Sequence, residues 1–84
     1  MLHIANLLEV PHDFRCSLSL EVFRDPVMLM QSGLTYENEF LLRALRVRPG
    51  VDPQTNVSFV GLPLIAPNLT LKRAIIAWLD APGV

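Results

Sequence analysis

The sequence predicts a small α+β domain with a short β-hairpin, a central helix, two long loops and a C-terminal helix. Three observations predict it: an apolar run lies between two turn-forming segments, and two later segments carry apolar residues at helical spacing. At 84 residues, the chain is long enough for one domain with a marginal core. Such a domain needs a further staple, such as a disulfide, a metal, a polar network or a partner.

The hairpin is predicted from the stretch D-P-V-M-L-M-Q-S-G-L-T-Y at residues 25–36. Asp25 can hydrogen-bond to the nearby backbone and Pro26 restricts its own φ, so this pair predicts a turn. A short strand is expected over residues 27–30. Gly33 allows a positive φ in the reversal, and the chain returns antiparallel at residues 34–35.

The segment before the hairpin is predicted to be an ordered loop. Residues 14–23 mix apolar and polar side chains without helical or strand periodicity. We expect one helical turn near residues 20–23. Residues 10–13 should enter the domain in an extended conformation, because Pro11 disfavours a helix before it.

Two helices are predicted after the hairpin. Thr35 is the expected N-cap of the first, with Glu37 in its first turn, and Pro49-Gly50 ends it. A proline-rich loop over residues 52–67 follows, and Asn68 caps the second helix. The apolar faces are Phe40, Leu41, Ala44 and Leu45 in the first helix, and Leu71, Ile75, Trp78 and Leu79 in the second.

Composition narrows the classes of protein that this chain can be. Cys16 is the only cysteine and there are two histidines, so an internal disulfide is excluded and a four-ligand zinc site is not expected. A formal net charge of −1 argues against nucleic-acid binding. The 51% of hydrophobic residues predicts protein contacts rather than a membrane span, because prolines interrupt the longest uncharged run. The thiol content predicts an intracellular location, cytoplasmic or nuclear.

No constellation for covalent catalysis or cofactor binding is present in the sequence. Cys16 is the one candidate nucleophile, but no base lies near it in the sequence, and a lone cysteine in an apolar stretch usually serves packing. Patterns for phosphate, dinucleotide or metal binding are absent from the sequence. We therefore expect no metal and no cofactor, and any contribution to a reaction would come from holding reactants.

Four motifs carry a resemblance to a known family. They are V-P-H-D-F-R-C-S-L-S-L-E-V-F-R-D-P-V at 10–27, S-G-L-T-Y at 32–36, D-P-Q-T at 52–55 and P-N-L-T-L-K at 67–72. In this order and spacing they resemble the U-box, the zinc-free relative of the RING domain of ubiquitin ligases. The resemblance covers residues 10–80, leaving an apolar segment at 1–9 and a tail at 81–84.

The resemblance implies a ubiquitin ligase module. It would bind a ubiquitin-conjugating enzyme charged with ubiquitin and promote transfer to a lysine of a substrate protein without a covalent intermediate. Two loops would form the docking groove, and core packing is the alternative for each apolar residue assigned to it. The implied groove residues are Leu18, Leu20, Pro53, Ser58 and Phe59.

The resemblance also implies that polar contacts hold the loops where a RING domain uses zinc. For Thr35 and Asn68, helix capping is the favoured alternative, and ordinary turn or capping roles are the alternative for the others. Asn38 stands where the family usually has Arg. The candidates for this polar network are Glu21, Asp25, Thr35, Asn38, Arg43, Asp52, Thr55 and Asn68.

Asn56 leaves two functions open. It stands at the position where active family members commonly carry an Arg that contacts both the conjugating enzyme and ubiquitin. Asn is shorter and uncharged, so its grip should be weaker. The alternative function is therefore a non-catalytic interaction module that binds or sequesters a partner.

A third hypothesis assigns the first nine residues to a dimer interface. Their apolar side chains (Leu2, Ile4, Leu7 and Leu8) have no other obvious partner in so small a domain. Light scattering of the chain without residues 1–9 should then show a smaller particle.

Overall fold

A computed structural model describes residues 10–80, which form a three-stranded antiparallel sheet and two α-helices. The strands are β1 (Pro26–Leu29), β2 (Leu34–Glu37) and β3 (Ile65–Pro67), in the order β2-β1-β3. Helix α1 spans Asn38–Val47 and helix α2 spans Leu69–Leu79. The predicted α+β class is thereby confirmed. The predicted dimerisation segment at 1–9 and the tail at 81–84 lie outside the described residues.

The hairpin forms where the turn residues predict it. The carbonyl of Leu29 accepts hydrogen bonds from the N–H groups of Ser32 and Gly33, at 3.2 and 2.8 Å. Gly33 has φ +74°, a left-handed conformation that glycine adopts without a steric penalty. Strand β1 runs one residue earlier than predicted, since Pro26 already pairs with Glu37.

The predicted start of the first helix is wrong. Thr35 is not an N-cap but lies within β2, opposite Met28, and the helix begins at Asn38. Tyr36 and Glu37 remain extended because both are buried and both pair with β1. Tertiary packing here overrides the local capping signal.

The proline-rich loop contains a strand that the sequence did not predict. Residues 65–67 pair with Leu29, Met28 and Val27 and form one edge of the sheet. Pro67 lacks an N–H group and is tolerated because it ends an edge strand. The predicted N-cap at Asn68 is confirmed: its Oδ1 accepts the N–H of Leu71 at 3.0 Å.

The segment before the sheet lacks the helical turn predicted near residues 20–23. Instead a turn occupies residues 17–19, and Leu20 has φ +63°. A β-bridge between Arg15 and Val22 then closes this loop. A 3-10 turn at His12–Phe14 replaces the extended entry expected there.

The core lies between the sheet and the two helices. Phe14 joins the N-terminal loop to α2 through an edge-to-face contact with Trp78, with the ring centroids 5.7 Å apart. Of the helices in the described range, none is long and apolar enough to span a membrane. The buried hydrophobic residues are Cys16, Phe23, Val27, Leu29, Tyr36, Leu41, Leu45 and Ile75.

Candidate functional site

Leu18 and Pro53, from two loops far apart in sequence, line one shallow groove of about 290 Å³. Leu18 lies in the loop over residues 16–21, called here the first loop, and Pro53 in the loop over residues 51–59, called the second loop. The wall between them comes from the C-terminal end of α1. The remaining lining residues are Ala44, Val47, Arg48 and Val51.

The helix wall was missed in the sequence analysis, although one signal for it was available. Val47 is 81% exposed. It follows Leu45, the last buried residue of α1, and points away from the core. The sequence signal was that Val47 falls outside the apolar face that Leu41 and Leu45 form on α1.

Three predicted groove residues lie elsewhere. Leu20 is 73% exposed and lines a separate surface cavity with Val10 and Val22. Phe59 is half-buried and packs against the core. Ser58 and Phe59 both line a different cavity. The structure therefore does not bring these three to the groove of Leu18 and Pro53.

The two loops are joined directly beside the groove. The hydroxyl of Ser17 donates to Oε1 of Gln54 at 3.1 Å. Ser17 and Gln54 are the immediate neighbours of Leu18 and Pro53, so the bond links the two loops next to both groove residues. A proline at position 17, common in the family that the sequence resembles, would lack this hydroxyl.

The turn before β1 is anchored by the buried carboxylate of Glu37. Its two oxygens accept the N–H groups of Arg24 and Asp25, at 2.8 and 3.0 Å. The N–H of Glu37 in turn donates to Sγ of Cys16 at 3.2 Å. Sequence reasoning placed Glu37 in a helical first turn and so missed this role.

Cys16 serves the fold rather than covalent chemistry. Its side chain is fully buried, and its sulfur accepts N–H groups from Leu18 and Glu37. No group of three or more His, Cys, Asp or Glu residues in the range 10–80 could hold a metal ion. The residues that line the groove include no nucleophile.

Asp25 and Asn38 form an outer contact beside the Glu37 anchor. Nδ2 of Asn38 donates to Oδ2 of Asp25 at 3.1 Å, and the Asn38 N–H donates to the Asp25 carbonyl at 3.0 Å. This pair ties the start of α1 to the turn before β1. The residue that departs from the family's usual Arg thus still joins two segments.

The second loop is anchored by Asp52, which is 1% exposed. Its Oδ1 accepts the Tyr36 hydroxyl at 2.7 Å and the N–H groups of Gln54 and Thr55 at 2.9 and 3.0 Å. The hydroxyl of Thr55 accepts the N–H of Val57 at 3.2 Å. Because Asp52 directly precedes Pro53, this anchor sets the position of one groove wall.

Hydrogen bonding keeps the Asp52 carboxylate charged. Burial alone raises the pKa of Asp52, but the nearby Ser32 hydroxyl and the hydrogen bonds from the Tyr36 hydroxyl and from the Thr55 and Gln54 N–H groups lower it from 3.8 to about 2. Oδ2 is buried without a hydrogen bond from the described residues in the present orientation. The Ser32 hydroxyl makes a 3.3 Å bond to the Leu29 carbonyl. Burial, reinforced by the Asp52 hydrogen bond and charge, raises the pKa of Tyr36 well above its usual range.

Asn68 links α2 to the hairpin in addition to capping the helix. Its Nδ2 donates to Oγ1 of Thr35 at 3.0 Å. Replacement of Asn68 by alanine removes both bonds and should lower the free energy of unfolding by about 2 kcal/mol, half from the cap and half from the link. Asn68→Asp keeps the oxygen that caps the helix but loses the N–H donor to Thr35. Its free energy of unfolding should therefore lie between those of the wild type and Asn68→Ala. Urea denaturation measures both, and an unchanged midpoint for the alanine variant would contradict the assignment.

Two residues predicted for the polar network do not join it. Arg43 pairs with Glu39 one turn away on the exposed face of α1, at 3.1 Å, and its guanidinium lies over Phe40. The Glu21 side chain is exposed and makes no hydrogen bond within residues 10–80; only its backbone contributes, by accepting the Cys16 N–H.

The residue at position 56 has a partner that the sequence did not indicate. Asn56 is exposed with φ +62°, and its Oδ1 accepts a hydrogen bond from Nη1 of Arg48 at 2.7 Å. Arg48 itself lines the groove. Asn56, which stands where the resemblance places an activating arginine, therefore contacts a different arginine, Arg48.

Comparison with known proteins agrees with this architecture. The U-box domain model matches residues 10–82. The chain is 40% identical over 72 residues to E3 ubiquitin-protein ligase CHIP of Arabidopsis thaliana, covering 86% of this chain and 25% of that protein. It is 42% identical over 72 residues to U-box domain-containing protein 4 of Arabidopsis thaliana, covering 86% and 8%. It is 36% identical over 75 residues to U-box domain-containing protein 12 of Oryza sativa subsp. japonica, covering 89% of this chain and 12% of that protein.

The chain thus spans a quarter or less of the length of these relatives. The matched residues nevertheless include the two loops and the end of α1 that line the groove, as well as the hairpin and α2. The chain therefore belongs to the U-box family.

Proposed function

We propose that residues 10–80 act as a ubiquitin ligase module that binds a ubiquitin-charged conjugating enzyme in the groove of Leu18 and Pro53. One observation carries the proposal: these two residues share one apolar groove although 35 positions separate them (53 − 18). Family membership supports it, as does similarity to a relative named as an E3 ubiquitin-protein ligase. We further propose that the module works in the cytoplasm or nucleus, as its thiol content suggests.

The module would act by orientation rather than by bond-making. Its one thiol is buried and serves as a hydrogen-bond acceptor, so the module does not take ubiquitin onto itself. Rigid loops that hold the charged enzyme would lower the entropy cost of bringing the bound ubiquitin and the acceptor lysine together. Aliphatic and proline side chains on such loops suit a partner's loops.

The direct test measures discharge of ubiquitin from charged conjugating enzymes onto free lysine. We expect the domain to accelerate discharge by at least about tenfold with some members of a broad panel, because orientation commonly supplies at least this much. If no enzyme responds, the ligase function is refuted. Binding of the uncharged enzymes, measured in parallel, shows whether docking survives.

Asn56 favours a second candidate, a non-catalytic interaction module that binds a partner in the same groove. In that case the domain binds a conjugating enzyme or another protein but leaves discharge unchanged. Asn56→Arg then separates a weak ligase from a pure binding module. A large gain in discharge marks a weak ligase, and binding without any gain marks an interaction module.

A further inference from the structure

Arg48 brings a guanidinium to the rim of the groove. It directly follows α1 and lines the groove together with Leu18 and Pro53. Its bond to Asn56, at 2.7 Å, uses one of the five N–H donors of a guanidinium. Among residues 10–80 no carboxylate forms an ion pair with it. A charged donor therefore stands beside an apolar surface, with most of its hydrogen-bonding capacity unused.

Asn56 supports this guanidinium from the second loop. Its backbone adopts φ +62°, which asparagine tolerates better than most other residues. The Asn56 N–H donates to the Asp52 carbonyl at 2.9 Å, so the residue is fixed to the same loop that carries Pro53. An arginine held in place before a partner arrives loses less side-chain freedom on binding.

We propose that Arg48, positioned by Asn56, is the groove's hydrogen-bond donor to oxygen acceptors of the ubiquitin-charged conjugating enzyme. Arg48 would thereby donate the hydrogen bonds that the family resemblance assigns to an arginine at position 56. This inference rests on the proposed function, because it names the residue that would orient the charged enzyme at that site. The planar guanidinium suits carbonyl and carboxylate oxygens, and its bonds to them are charge-assisted.

The test uses the panel enzyme with the strongest response and the domain at saturating concentration. Arg48→Ala should slow discharge by about tenfold, the usual effect of losing a charge-assisted hydrogen bond, while binding of the uncharged enzyme changes by less than about threefold. Asn56→Gly keeps the positive φ but removes the acceptor, and should slow discharge less than Arg48→Ala. The matched control is Arg46→Ala, an exposed arginine two residues earlier that lies outside the groove lining, and it should leave discharge unchanged.

Rescue distinguishes a donor from a merely structural residue. In an Arg48→Ala background, Asn56→Arg should restore discharge, because the second loop then supplies the guanidinium itself. Arg48→Ala and Asn56→Gly together should be no slower than Arg48→Ala alone, since Asn56 acts through Arg48. Full discharge by Arg48→Ala, or a failure of Asn56→Arg to rescue it, would overturn the inference while leaving the ligase function intact.

A second measurement separates this inference from the ligase function. The conjugating enzyme joined to ubiquitin by a stable amide should bind the wild-type domain more tightly than the bare enzyme does. Arg48→Ala should remove that preference. A wild-type domain that shows the preference but no discharge would refute the ligase function alone, and a wild-type domain without the preference would refute the role of Arg48.

Discussion

Replacement of Leu18 by alanine should slow the ubiquitin discharge that the domain stimulates by about thirtyfold. Leu18 lines the groove together with Pro53, and we expect it to be one of the few interface residues whose truncation costs about 2 kcal/mol of binding. The loss should appear in both discharge and binding of the uncharged conjugating enzyme. This pattern differs from Arg48→Ala, for which binding of the uncharged enzyme is largely kept.

Leu20→Ala is a matched comparison, since it makes the same substitution in the same loop. Leu20 is outside the groove, so we expect nearly normal discharge and binding. An equal loss for both variants would instead support the sequence-based prediction that both leucines contact the enzyme. Because Leu18 also packs against the core, its variant needs a thermal-unfolding measurement beside the activity assay.

Val47→Lys tests the groove without removing a side chain from the core, so that a loss of activity cannot be confused with a folding defect. Val47 is exposed and lines the groove, and lysine is a better helix former than valine. The variant should therefore keep the melting temperature while placing a charge in the apolar groove. Full discharge by a folded Val47→Lys would argue against the groove as the docking site.

Features that depend on neighbouring residues could be predicted from the sequence. Gly33 in the hairpin and Asn68 before α2 each act within a few residues, and both were correctly identified. The two loops of the groove were predicted from the order of the family motifs and not from the properties of neighbouring residues. The groove partners Leu18 and Pro53 could be named because the family pattern marks both loops.

Features that depend on distant partners could not be predicted. Glu37 follows a capping-like threonine and precedes an amphipathic helix, so its local pattern predicts a first-turn residue. Its actual role is set by Arg24 and Asp25, 13 and 12 positions away. The same applies to β3, whose strand conformation comes from pairing with β1. Local propensity is a weak guide wherever long-range pairing decides the conformation.

Two buried carboxylates each accept backbone N–H groups. Glu37 holds the turn before β1 and Asp52 holds the second loop. A carboxylate that accepts several bonds can replace part of what a metal ion does, since it fixes several backbone groups around one centre. The loop that carries Pro53 therefore depends on the buried carboxylate of Asp52, which does not line the groove itself.

Asp52→Ala should lower the free energy of unfolding by about 3 to 5 kcal/mol, since each buried group left without a partner costs about 1 to 3 kcal/mol. It leaves the buried Tyr36 hydroxyl and the N–H groups of Gln54 and Thr55 without their acceptor. A domain of this size has about 5 kcal/mol of stability in total, so much of the variant should be unfolded at 25 °C. Urea denaturation and circular dichroism measure the loss. Tyr36→Phe is the control, because it removes one hydroxyl but keeps the carboxylate and should cost only about 1 to 2 kcal/mol.

The pH dependence of the free energy of unfolding tests whether the charge of Asp52 is what stabilises the fold. The pKa of Asp52 is lowered from 3.8 to about 2 in the folded state, so its contribution is fully present above pH 4 and is lost as the pH falls through 2. The linked free energy is about 2 kcal/mol. We therefore expect the stability difference between wild type and Asp52→Asn to shrink by about that amount between pH 7 and pH 2. A difference that stays constant over this range would show that the charge of Asp52 does not hold the second loop, and that its shape alone does.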